Sequence, residues 1–213
     1  ERFERLLARQ PELIYPYFDY AIMLYENKQY HQSRTAFEAI RPKLPESLHG
    51  LVDQYLKSIH DIQKVNWRYD LQYEKTDNVN NASSSPTVTV GSWVMTRTED
   101  SLPKSANGIR YDLGINQIKN ISGNHYWYND AGINGVHYWD AREFSEMAIT
   151  FNSGYFYQDF KRQFQLTPMV SYNLVGGDPY GFQYGLSTRY QQPLTPKLRL
   201  SLNALHYQKR YKD

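Results

Sequence analysis

The chain is 213 residues long, with 24 Lys and Arg against 22 Asp and Glu for a formal net charge of +2, and it holds 20 Tyr, 4 Trp and no Cys. Charge balanced in this way argues against the basic stripe of a nucleic-acid binder, and the absence of Cys removes disulfides, thiolate zinc sites and cysteine nucleophiles. No apolar run reaches about 18 residues, which excludes a transmembrane helix; a mean hydropathy of -0.73 does not exclude a β-barrel, whose wall averages out polar.

From Arg2 to about Gln63 the apolar residues recur at helical spacing, broken by Pro11, Pro16, Pro42 and Pro45. Short helices joined by turns are predicted. Between Pro11 and Pro45 the pattern matches one tetratricopeptide repeat: bulky Tyr17, small Ala21, Leu24, Tyr30, small Ser33, Phe37, Ile40 and the closing Pro45. Small residues let two helices approach while the large ones fill the space between units. A further amphipathic helix follows through Leu48, Leu51, Tyr55, Leu56, Ile59 and Ile62. A single repeat cannot bury its own faces, so more repeats are expected before Glu1, as is any signal peptide. An ordinary helical hairpin is the plainer alternative.

At Asn66 the period changes. Trp67, Tyr69, Leu71 and Tyr73 interleave with Arg68, Asp70, Gln72 and Glu74, the alternation of a strand with one aromatic and one charged face. Similar segments are predicted at Ile109–Ile115, about Asn124–Tyr138, Met147–Tyr157, Phe164–Leu174, Phe182–Tyr190 and Leu198–Leu205, about seven strands in all. Gly132 and Gly135 suggest a bulge or bend in the third. Short turns (Ile121–Gly123, Gln158–Gln163, Gln191–Lys197) alternate with longer connections at Asp77–Asn107, Trp139–Ser145 and Val175–Gly181. If the helices are periplasmic, all the short turns fall on the periplasmic side, the asymmetry of outer-membrane barrels. Trp67, Trp127, Trp139, Phe156, Tyr157, Tyr172, Tyr190 and Tyr207 lie near strand ends, as an interfacial girdle requires. A soluble β-sandwich has the same alternation, but these strands are long and their polar faces carry Asn, Gln, Thr and Arg. Seven strands leave open edges, so the chain is expected to continue beyond Asp213.

The expected fold is therefore α + β, with residues 1–65 the C-terminal end of a tetratricopeptide-type domain and residues 66–213 the N-terminal part of an antiparallel transmembrane barrel, its N-terminal half if the resemblance that follows holds. The junction sharpens this. Ile59-His60-Asp61-Ile62-Gln63, the strand Trp67-Arg68-Tyr69-Asp70-Leu71-Gln72-Tyr73 and the run Asp77-Asn78-Val79-Asn80-Asn81-Ala82-Ser83 resemble the surface lipoprotein assembly modulators, or Slam proteins. So do Ser153-Gly154-Tyr155-Phe156-Tyr157-Gln158-Asp159 and Gly176-Gly177-Asp178-Pro179-Tyr180-Gly181. The resemblance implies a periplasmic repeat domain joined to a barrel of about fourteen strands in the outer membrane. It also implies non-enzymatic export of surface lipoproteins or secreted haemophores, with the repeats engaging the client or periplasmic chaperones. An exopolysaccharide-export porin with periplasmic repeats, or a soluble repeat scaffold with a β-sandwich, remains the alternative.

Candidate residues follow from these expectations. Tyr17, Tyr20, Tyr25 and Tyr30 are candidates for client contact on the repeat surface, and Arg68, Asp70, Gln72, Arg110, Asp112, Asn116, Arg189 and Arg199 for lining the lumen. Asp77, Asn78, Asn80 and Asn81 could offer oxygens to calcium or to a client backbone, but such residues more often hold a loop by Asx-turns. The apolar stretch Val88–Met95 is expected to pack on the rim or into the lumen as a plug. No catalytic serine elbow, phosphate loop, cofactor motif or metal-ligand spacing is present among the six His or elsewhere. The expected partners are the exported client and outer-membrane lipid, with no cofactor and no nucleic acid.

Overall fold

In the computed structural model of the protein, residues 13–212 are described. The helical reading of 2–12, with its breaker Pro11, lies outside them.

Three helices come first: α1 (Ile14–Glu26), α2 (Tyr30–Ile40) and, after a single 3-10 turn, α3 (Glu46–Gln63). One stripe of each helix faces the others, and Phe18, Ala21, Leu24, Ala36, Phe37, Ile40, Val52 and Ile59 are buried in one core. Each large side chain so buried contributes about 1.5–3 kcal/mol. The close approach of α1 and α2 follows from the small residues: Ala21 and Ser33 are both fully buried, and the Ser33 hydroxyl donates to the Ala21 carbonyl at 2.8 Å. α3 joins them by stacking Tyr55 on Phe37, ring centres 4.9 Å apart. α1 closes with the Gln29 N–H on the Leu24 carbonyl and the Lys28 N–H on that of Tyr25, both 2.8 Å. That closure requires a left-handed residue, usually glycine, and here Lys28 takes it at φ 61°. α3 passes into the first strand through only Lys64 and Val65.

The sheet follows. Its strands are β1 (Asn66–Thr76), β4 (Ala106–Ser122), β5 (His125–Tyr138), β6 (Glu146–Gln158), β7 (Gln163–Val175), β8 (Asp178–Thr195) and β9 (Leu198–Tyr211), antiparallel and paired in that order. All seven predicted strands are present, and the shortest has 11 residues, enough to cross a bilayer at a tilt. The first and last each have one neighbour, so the sheet is open, as part of a barrel must be. It is also strongly curved. Asp70 on β1 and Lys209 on β9 line one cleft of about 700 Å³, whereas a flat sheet would hold its edge strands roughly 29 Å apart at about 4.8 Å per gap. Glycines permit the bend: a Cβ on Gly154 would lie 2.2 Å from the Leu166 carbonyl oxygen, and one on Gly185 2.4 Å from that of His206.

Several expectations change in detail. The connection predicted at Val175–Gly181 is a tight hairpin, because Gly176 and Gly177 take φ of 62° and 92° while Asp178 and Pro179 already pair with β7. The turn predicted at Gln191–Lys197 shrinks to Pro196 and Lys197, since β8 pairs through Pro193 and Thr195 across a bulge. β5 pairs without interruption past Gly132 and Gly135; the irregularity lies instead between Asn120 and Ser122 of β4. Between β6 and β7 pairing lapses around Gly154 and Pro168, where proline offers no N–H. Val88–Met95 forms a separate hairpin, β2 (Thr87–Val90) with β3 (Trp93–Thr96), whose Val90, Trp93, Val94 and Met95 are exposed.

Candidate functional site

Register divides the sheet into two faces of opposite chemistry. Trp67, Tyr69, Leu71, Ile109, Leu113, Ile115, Ile133, Ile149, Phe151, Val170, Tyr172, Leu186, Leu198 and Leu202 point outward and are exposed. On the described strands the outward face carries charge only at Lys75, Lys119 and Arg210, all near strand ends. In water such a continuous band would be an aggregation hazard, and against hydrocarbon it is the favourable arrangement. Trp67, Trp127, Tyr157 and Tyr190 lie toward the helical end of this face. Phe156 and Tyr207 do not belong to the girdle, because their register places them on the inner face.

The inner face is polar. All eight candidates, Arg68, Asp70, Gln72, Arg110, Asp112, Asn116, Arg189 and Arg199, fall on it by register. Arg68 reaches across the two neighbouring strands, with its Nε 2.9 Å from Asp112 and Nη1 3.6 Å from Asp130. It can lie flat because Gly114 and Gly132 sit beneath it; a Cβ on Gly114 would come 2.7 Å from its Nη2. Arg110 pairs with Glu74 at 3.0 Å. Beside Arg68 and Arg110, the carboxylates of this face gather on one side. Asp70, Glu74, Asp112, Asp130 and Glu146 are on β1 and β4–β6, whereas Arg189, Arg199 and Lys209 stand on β8 and β9 with no carboxylate beside them among the described residues. Asp130, Glu146 and Lys209 were not singled out by the sequence reading, since the face of each depends on a register that only pairing fixes.

The helical module meets the sheet at the end bearing the β4–β5 turn. Asn120, 2% exposed, organises this junction. Its Oδ1 accepts the His31 N–H at 2.7 Å, its Nδ2 donates to the carbonyls of Gly123 and His125 at 2.9 Å, and its N–H donates to Gln63 Oε1 at 2.9 Å. Asn124 donates to the Asn27 and Gln158 carbonyls at 2.6 Å, and the Gly123 N–H donates to Gln32 Oε1 at 3.0 Å. The Tyr126 hydroxyl donates to the Lys28 carbonyl, the left-handed residue of α1. Uncharged amides dominate here. Their signal in the sequence, a cluster of Asn and Gln at a turn, is indistinguishable from ordinary loop polarity.

The junction also claims part of the tyrosine set. Tyr30 packs edge-on against Tyr126 at 6.2 Å, and its hydroxyl is raised above the usual tyrosine range by burial. Tyr25 meets Tyr30 and Tyr55, and its hydroxyl hydrogen-bonds Ser58 at 2.7 Å. Tyr17 and Tyr20 form an edge-on pair at 6.2 Å on α1. All four are partly buried against the helical core.

At the opposite end the loop after β1 is internally braced. Asn78 holds Ala82 through two 2.8 Å bonds, Asn80 bonds the Leu102 carbonyl and the Lys104 N–H at 2.8 and 3.1 Å, Ser105 reaches Asp77 at 3.5 Å, and Asn81 takes φ 48°. These are Asx-turn functions. Nearby, Asp140 accepts the Asn107 N–H at 2.8 Å, and this backbone bond holds its carboxyl below the usual range. Among the described residues no group of His, Asp and Glu could hold a metal ion, and no helix is long and apolar enough to cross a membrane.

Comparison with known proteins gives the following matches. The family model described as surface lipoprotein assembly modifier matches residues 66–213, well over half the chain. A surface lipoprotein assembly modifier of Pasteurella multocida is 28% identical across 98% of this chain and 42% of its own length. The surface lipoprotein assembly modifier 2 of Haemophilus influenzae is 26% identical across 84% of this chain and 36% of its own. The hemophilin secretion modulator of Acinetobacter baumannii is 24% identical across 98% and 47%. The chain thus spans less than half the length of each of these relatives. No solved structure gives a significant match.

Proposed function

The chain belongs to the surface lipoprotein assembly modifier family, and from that premise we propose that the protein delivers surface lipoproteins, or secreted haemophores akin to the hemophilin named for one relative, across the outer membrane. Residues 66–213 form part of the barrel wall on this reading, and residues 1–65 the membrane-proximal end of a periplasmic tetratricopeptide-repeat domain. The observation that carries it is the two-faced sheet: an outward surface without charge away from its strand ends, and an inward surface of Arg, Asp, Asn and Gln. Lipid is the solvent that rewards the first face and a water-filled passage the second.

The roles divide accordingly. Arg68, Asp70, Gln72, Arg110, Asp112, Asn116, Arg189 and Arg199 line the passage and keep it hydrated. Tyr17, Tyr20, Tyr25 and Tyr30 are the aromatic side chains at the surface of the helical module that touch a client or its chaperone on this reading, with the core behind all four. Asp77, Asn78, Asn80 and Asn81 brace the base of the exposed β2–β3 hairpin. No chemical step on the client is required.

The test is surface display of candidate lipoproteins, read by protease shaving of intact cells with and without the full-length gene. Loss of one lipoprotein from the surface with its accumulation in the periplasm is the expected result. Unchanged display of every lipoprotein together with loss of a surface polysaccharide would replace this reading with polysaccharide export.

A further inference from the structure

Where the outward face ends, above the helices, lies a second cleft lined by Arg34, His60, Gln63, Lys64, Val65, Gln117 and Lys119. Three strong cations and a histidine surround it, and no carboxylate lines it. We propose that this cleft binds the phosphate of an anionic phospholipid headgroup. The inference rests on the barrel reading of the sheet.

Its position is the first argument. Lys119 stands on the outward face opposite Trp127, and Val65 leads into Trp67, so the cleft sits directly below an exposed apolar surface at its aromatic border. Headgroups of the periplasmic leaflet occupy that level when the face above them meets acyl chains. The second argument is charge. Lys119 has no ion-pair partner among the described residues. Arg34 and Lys64 pair with Glu38 and Asp61 along their own helices at 2.7 and 3.1 Å, but with all four side chains about half exposed. Pairs of that kind are weak and leave donors free to turn to a phosphate. The third is chemistry: a guanidinium and two ammonium groups offer several donors around one small concavity, beside the Gln117 amide that already donates to the Gln63 carbonyl at 3.0 Å, and Val65 offers an apolar seat for the glycerol. The consequence is an anchor that fixes the depth of the junction between helices and sheet by a lipid contact, beside the hydrogen bonds of Asn120.

The experiment uses the full-length protein in an uncharged detergent, offered equal amounts of phosphatidylethanolamine and phosphatidylglycerol and examined by native mass spectrometry. Preferential retention of phosphatidylglycerol is expected, falling about five-fold for each charge removed in Lys119→Gln and Lys64→Gln and restored by Lys119→Arg. Retention of inorganic phosphate, offered alone, together with retention of neither lipid would identify the site as one for phosphate alone and overturn the lipid assignment. Equal retention of both lipids, or retention unchanged in the variants, overturns the proposal while a heat-shifted mobility on gels still marks a folded barrel. Absence of that shift and of vesicle insertion would overturn the barrel reading, and this site with it.

Discussion

The helical module and the sheet use similar residues in opposite ways. In the helices Phe37, Val52 and Ile59 are fully buried, and apolar side chains turn toward one another. In the sheet Trp67, Tyr69 and Leu71 are among the most exposed residues, and the buried positions include Asn120 and Thr167. An inversion of this kind across seven adjacent strands is what a change of solvent, as proposed above, would produce. The two regions teach that burial identifies a core only when the medium is known.

Substitutions can break or sharpen that contrast. The largest effect belongs to the helical core: Phe37→Ala removes the ring stacked on Tyr55 and should cost about 3–5 kcal/mol, seen as rapid proteolysis of the helical module while the barrel keeps its heat-shifted mobility. Nearly as large is a charge on the outward face. Phe151→Arg should cost about 2–4 kcal/mol in bilayer unfolding by urea, whereas Asn152→Arg, one residue on and beside Asp130 on the inner face, should cost little. Equal costs would mean that both faces meet the same solvent.

Smaller effects lie at the junction. Asn120→Ala strands the His31 N–H and two carbonyls, at about 1–3 kcal/mol, and faster tryptic cleavage after Lys64 reports it. Lys28→Gly relieves the left-handed residue and should stabilise the helices by about 1 kcal/mol, read as a higher melting temperature of the helical signal. A lower one would mean that the Lys28 side chain makes a contact worth more than the strain.

The alternation of Trp67 to Tyr73 and of Met147 to Tyr157 was legible because a period of two survives in any strand with two different faces. That same period put Arg68, Arg110 and Arg189 on the inner wall without knowledge of pairing. Loop lengths were less legible. Gly176-Gly177-Asp178-Pro179 has the composition of a long loop, yet only its glycines turn, because a proline near the start of a strand, beside a bulge, can still sit in a ladder. The junction was not legible at all: Gln63 is brought to Asn120, and Asn27 to Asn124, from positions far apart in the sequence by hydrogen bonds that leave no periodic trace. Nor does the sequence reveal that Asp70 and Asp112 face the same cleft as Lys209, which follows only once curvature turns both ends of the sheet toward each other.

The central claim is that one face of the sheet meets lipid and the other water, and the absence of Cys from these 213 residues makes it directly measurable. Single cysteines placed outward at Leu71, Phe151 and Leu202, and inward at Gln72, Asn152 and Asn203, would be exposed to a membrane-impermeant maleimide in isolated outer membranes. The account predicts labelling of the inward set and protection of the outward set until detergent is added; labelling of the outward set in the intact membrane would contradict it.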